Sequence, residues 1–161
     1  MTQEQTMAAC AVNAWTTQID RATKLFSGAS DQQLLAEIAP GKNRLIYLFG
    51  HLLAVHDAMR PLLGIGPRRY EHLDAAFLTG ADKAVADLPS TASLKEMWEE
   101  VHASLLAAFN AWSPADWVGK HTAVSDDDFA KNPLRNRLAV LLNRTGHLAY
   151  HLGQCVLAPK T

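Results

Sequence analysis

The sequence predicts an all-α chain, a four-helix bundle built as one domain over residues 1–161. Three observations carry that reading. Apolar residues recur at helical spacing in four long stretches. Capping residues or Pro and Gly bound each stretch. A length of 161 residues suits a single domain able to bury a real core.

The first stretch, 3–26, places Met7, Cys10, Ala11, Ala14, Trp15, Ile19, Ala22 and Leu25 on one face, and Ser27-Gly28 ends it. Ser30 with Gln33 three residues on is a capping-box pattern for a short piece, 31–38. Ala39-Pro40-Gly41 stops the chain, and Asn43 is the expected N-cap of the second long helix, 44–63. That helix is apolar almost all round, which marks it as buried. A long crossover follows, 64–93, with a short helical piece through Phe77. Such a length is unusual for a connection in a compact domain. Ser93 and Glu96 form a second capping box opening the third helix, 94–111, striped by Leu94, Trp98, Val101, Leu105 and Ala108. Ser113-Pro114 and Ser125 open short capped turns. The three aspartates after Ser125 lack the alternating spacing of a calcium loop and suit a helix N-terminus. Asn132-Pro133 opens the fourth helix, 134–157, with Leu138, Leu141, Thr145, Leu148, Leu152 and Val156 as its core stripe.

Composition excludes several functions. The net charge of −1 removes the basic face on which nucleic-acid binding rests. The start of the chain has Gln3, Glu4 and Gln5 and no early Lys or Arg, so it does not read as a secretory signal. The longest apolar run, 45–55, is too short to span a bilayer. A cytoplasmic protein without membrane contact is the expectation. Cys10 and Cys155 show no Cys-x-x-Cys spacing and read as two small buried hydrophobes, unpaired. No nucleophilic triad, phosphate loop or dinucleotide fingerprint is present.

The chemistry gathers on the fourth helix. His147 and His151 are four residues apart, which stacks their side chains on one helix face about 5–6 Å apart at Cβ. Two imidazoles so placed can share one metal ion, and a third ligand must come from elsewhere. His51 is the best donor, inside the most apolar helix and on the face of Leu48 and Val55. The competing reading of each histidine is a hydrogen-bonded packing residue; His102 beside the third stripe is read that way first, with a role supporting a metal ligand kept open. His56 points to another side and is given no role.

Register argues for the metal. His51 lies about 10 Å of rise into the second helix, and the midpoint of His147 and His151 about 12 Å from the end of the fourth. Antiparallel packing of these helices brings the three imidazoles level. It requires the second and third helices to run parallel, which the long crossover permits, giving an up-down-down-up order. Around such a site Gln154, Asn143 and Tyr47 stand within a turn of a ligand, ready to hydrogen-bond a ligand or a substrate. Arg144, on the metal side of the fourth helix, is placed to meet a substrate carboxylate.

With these residues in hand, the chain resembles the DinB/YfiT-like family of metalloenzymes. The resemblance rests on Gly50-His51-Leu52, on His147-x-x-x-His151-x-Gly-Gln154, on Pro40-Gly41-Lys42-Asn43 before the second helix and on Leu63-Gly-Ile-Gly66 after it. It implies an up-down-down-up bundle, a homodimer, and a divalent ion on His51, His147 and His151: nickel or zinc, in some members iron. It also implies, for some members, transferases or isomerases that use low-molecular-weight thiols.

Three neutral imidazoles leave an ion its full charge and at least one open position, the pattern of a catalytic site. The expected functions are a metal-dependent transferase acting on a small thiol, a metal-dependent hydrolase, or a non-catalytic metal- or ligand-binding bundle. No carboxylate stands in register to act as a general base, which favours thiol transfer with a small-molecule substrate.

Overall fold

The computed structural model describes residues 1–159 and is all-helical over them. In chain order the helices are α1 (Gln3–Gly28), α2 (Asp31–Leu35), α3 (Leu45–Asp57), α4 (Met59–Leu62), α5 (Asp74–Phe77), α6 (Thr91–Ala111), α7 (Pro114–Val118), α8 (Asp126–Lys131) and α9 (Arg137–Cys155), with a 3-10 turn at Glu71–Leu73. Extended pairing among the described residues is limited to two isolated bridges, Glu37 with Arg44 and Lys120 with Asn136. No helix is long and apolar enough to cross a membrane.

Caps explain the helix starts. The Thr2 and Gln5 side chains close a capping box on α1, as Ser30 and Gln33 do on α2. Helix α6 begins three residues earlier than the Ser93–Glu96 pattern suggests. Ser90 caps it, taking the Ser93 N–H, so Ser93 is already inside the helix. Helix α9 begins later than expected from Pro133, at Arg137. The bridge to Lys120 and the bond from Arg137 N to Gly119 O hold residues 136–137 against the α7–α8 connection, and Asn136 caps the helix. Arg44, not Asn43, is the N-cap of α3, with no side-chain cap of its own.

The helix expected over 44–63 is interrupted at Ala58. Pro61 has no N–H to give the Asp57 carbonyl, so the α-helical ladder fails there and resumes as the single turn of α4.

The long crossover is tied to both ends of α3. At its C-terminus the fully buried Asp57 carboxylate accepts from Arg69 N at 2.9 Å, Tyr70 N at 3.0 Å and Arg68 Nε at 3.1 Å. At its N-terminus Arg44 grips Asp82 with its backbone N–H at 2.8 Å and its guanidinium at 2.7 Å. Between these ties α5 packs flat on α3.

The core lies between α1, α3, α6 and α9. Helix α1 packs on α6 and α9, and α3 packs on the same two. Phe26 stacks on Phe49 at 4.3 Å, with Trp98 edge-on to Phe26. Trp98 Nε1 donates to Thr23 Oγ1 at 2.8 Å, which satisfies its one donor. Particular neighbours give the alignment of α3 with α9. Leu45, at the start of α3, shares a cleft with Cys155 at the end of α9, while Gly64, just past α4, faces the Arg137 guanidinium at the start of α9.

Candidate metal centre

The site begins with a glycine. A Cβ at residue 50 would stand 2.4 Å from ring atoms of Phe77, so only glycine lets α5 lie this close to α3. That approach carries the Phe77 carbonyl to 2.8 Å from His51 Nδ1. A carbonyl only accepts, so Nδ1 bears the hydrogen and Nε2 keeps its lone pair.

On α9 the same is done by a side chain. Gln154 Oε1 lies 2.7 Å from His151 Nδ1 and accepts its hydrogen, leaving His151 Nε2 a lone pair. The Gln154 amide nitrogen faces Tyr150 Oη at 3.4 Å, and the Tyr150 ring lies edge-on to His151. His147 sits between the two. Its Nε2 is 3.1 Å from His151 Nε2 and 3.4 Å from His51 Nε2, while its Nδ1 is buried with no partner.

These distances test whether a metal fits. Two nitrogens at about 2.0–2.1 Å from a tetrahedral ion stand roughly 3.3 Å apart, and the two measured separations bracket that value. One ligand atom from each of the three histidines lies within 4.8 Å of the others, with all three residues half-buried. The donor set fits a divalent ion.

The electrostatics favour the neutral form of both α9 imidazoles. Burial pushes the His147 pKa down to about 4, helped by the neighbouring His151, His51 and Arg144. Burial also lowers His151, against the bond from Gln154, which raises it. Both are therefore unprotonated at neutral pH, the form a metal requires.

The other candidates fall in different places. Tyr47 turns to the crossover: its hydroxyl donates to Gly80 O at 2.8 Å and its ring runs parallel to His51 at 6.3 Å. Asn143 is exposed and its side chain makes no hydrogen bond among the described residues. Arg144 is half-buried, and burial lowers its pKa. The Phe77 carbonyl and Tyr150 were not legible as site groups, though Gly50 beside His51 was the trace the first of them left.

A second histidine pair lies apart, in the core. His102 Nδ1 donates to Trp98 O at 2.7 Å, so its Nε2 accepts from His56 Nδ1 at 2.8 Å. His56 Nε2 is left as a buried lone pair without a partner. Trp15 closes over both rings. Burial holds His56 well below its ordinary pKa and His102 at about 3. His102 is the packing residue expected. His56, given no role from sequence, is its hydrogen-bond partner.

Comparison with known proteins completes the description. Among curated proteins none matches this chain. The family model described as the DinB superfamily matches residues 14–155, a span that includes α3, α9 and all three histidines of the cluster. The chain belongs to the DinB superfamily.

Proposed function

We propose that the chain holds one divalent ion, zinc or nickel with iron as the third choice, on His51, His147 and His151, and uses it to ready a low-molecular-weight thiol for transfer. The observation that carries this reading is the convergence of three Nε2 atoms, two with their lone pairs directed inward by bonds at Nδ1. Imidazole donors suit each of these metals. The neighbour pairs at the two ends of α3 and α9 support an up-down-down-up four-helix bundle, in which the ligands come level.

When bound, such an ion supplies Lewis acidity, lowering the pKa of a thiol or water brought to it. The protein's residues supply the rest. The Phe77 carbonyl and Gln154 fix two imidazoles in one tautomer and orientation. Three neutral donors leave the positive charge undiminished for an incoming anion. No Asp or Glu joins the cluster among the described residues, so no carboxylate is at hand to take a proton from water. A thiol needs none: its proton goes to solvent, its sulfur electron pair forms the bond to an electrophilic acceptor, and the leaving group departs with its own pair.

Metal analysis of the purified protein and of His151→Ala tests the site: the expected result is one ion per chain against almost none, with helicity retained. Equal metal content in both would sink the reading. With cobalt loaded, small thiols should produce a sulfur-to-metal charge-transfer band. Metal-dependent ester hydrolysis without that band would mean a hydrolase. A metal whose removal only lowers the melting temperature would mean a structural ion.

A further inference from the structure

We infer that Arg144 anchors a carboxylate of the substrate, so that the ligand of the three-histidine site carries both a metal-binding head and an acid group. The inference rests on the metal reading above and names the substrate class it leaves open.

Arg144 is a half-buried cation that the protein leaves unmatched. Its Nε is sealed from solvent and has no hydrogen-bond partner, and its terminal nitrogens bond no group among the described residues. The other arginines reaching inward are engaged. Arg44 holds Asp82, Arg68 holds Asp57 and Asp74, Arg60 donates to Pro67 O and to Ser104, and Arg137, whose Nε is likewise unpartnered, donates through Nη1 to Asp116 O and lies over the Trp112 ring.

No ion pair reaches Arg144 among the described residues. Helix α9 contains no Asp or Glu, and α3 contains only Asp57, already committed to Arg68 and two backbone N–H groups. Of the other helices packed on α9, α1 carries Glu4 and Asp20, which form no ion pair with it, and α7 carries Asp116, held by Ser113. An unmatched guanidinium held partly out of water is costly unless an anion completes it.

Its position points to the metal centre. Arg144 precedes His147 by three residues on the same face of α9, about 4.5 Å of rise. Its charge is felt at His147, where it adds to the depression of the imidazole pKa, and at His56 across the core. A guanidinium presents two parallel N–H groups that match the two oxygens of a carboxylate. With the ion at one end and the fork one helical turn along α9, a short mercaptocarboxylate is the simplest molecule that offers a group to each. The unmatched positive charge and the open metal position then become two ends of one binding site.

The test uses the cobalt-loaded full chain, titrated with 3-mercaptopropionate and 1-propanethiol and read by the charge-transfer band and by calorimetry. The acid should bind at least about tenfold more tightly. In Arg144→Gln that preference should vanish, with metal content and propanethiol affinity unchanged and the melting temperature no lower; Arg144→Lys should recover only part of it. Equal affinities in wild type overturn the inference, as does a preference that persists in Arg144→Gln, since the ion alone would then explain it. If neither thiol moves the cobalt bands, the thiol reading fails, and succinate decides this one. Its binding must then weaken at least about tenfold in Arg144→Gln, and equal binding rejects the anchor.

Discussion

Replacing Gly50 by Ala should damage the metal centre through packing alone. The new Cβ would lie 2.4 Å from the Phe77 ring, where ordinary contact begins near 3.4 Å. The ring must therefore retreat by about 1 Å, and Phe77 is fully buried in the apolar core, where close packing resists such a shift. The His51 Nδ1 to Phe77 O bond is 2.8 Å long, so a retreat of about 0.7 Å already takes it past hydrogen-bonding range. Overpacking of this kind costs about 1–3 kcal/mol, and the better helix propensity of Ala returns up to about 1 kcal/mol. The expected net loss is about 1–2 kcal/mol of stability by urea denaturation. With His51 no longer oriented, metal affinity should fall about 10- to 100-fold. Combining Gly50→Ala with Phe77→Leu should cost less than the two changes added, because the second relieves the first. A Gly50→Ala protein as stable as wild type and as tight for metal would refute the link between this contact and the site.

Other expectations follow from groups away from the cluster. His102 is held at about 3 in the folded protein against 6.5 ordinarily. Above pH 6.5 both states leave it neutral; below, the unfolded chain takes up a proton the folded chain refuses. Stability should therefore fall as pH drops, by about 2 kcal/mol at pH 5 from His102 alone, with His56 acting in the same direction. A urea midpoint that stays flat from pH 7 to 5 would contradict this. Cys10 is exposed, not buried as the sequence suggests, whereas burial pushes the Cys155 thiol up to about 12. Native alkylation read by mass spectrometry should therefore mark Cys10 alone and reach Cys155 only on unfolding. Asp57→Ala should cost about 1–3 kcal/mol for each of the two backbone N–H groups left without an acceptor, while Arg68 keeps Asp74. It should also speed hydrogen exchange at Arg69 and Tyr70, and unchanged exchange there would show that the crossover is held by something else.

The helices and the three histidines could be read from sequence because each leaves a periodic signal. The stripe of α9 carries His147 and His151 at a fixed spacing, and Ser30 and Ser113 announce their helices by local capping chemistry alone. What was not legible depends on contacts between distant residues. The start of α9 shifted because Asn136 pairs with Lys120, and no local pattern reports that bridge. The break at Ala58 had a local cause in Pro61, whose effect falls four residues upstream and is masked by an unbroken apolar run. The crossover read only as an unusually long connection because its order comes from Asp57 and Asp82, single acids whose partners lie far along the chain. His56 and His102 looked like separate edge residues, since nothing on either helix shows that the other faces it.

The hydrogen-bond partner of His51 is a main-chain carbonyl, and every amino acid carries one. No substitution at position 77 can delete that acceptor, so the orientation of His51 is insulated from polar drift there and exposed instead to changes in bulk. A relative could keep all three histidines and still lose its metal by gaining one methyl group at position 50, or by exchanging the flat ring at 77 for a branched side chain. Inspecting the ligand residues alone would miss both. In this chain the fitness of the metal centre is written as much in the volume of two apolar neighbours as in its imidazoles.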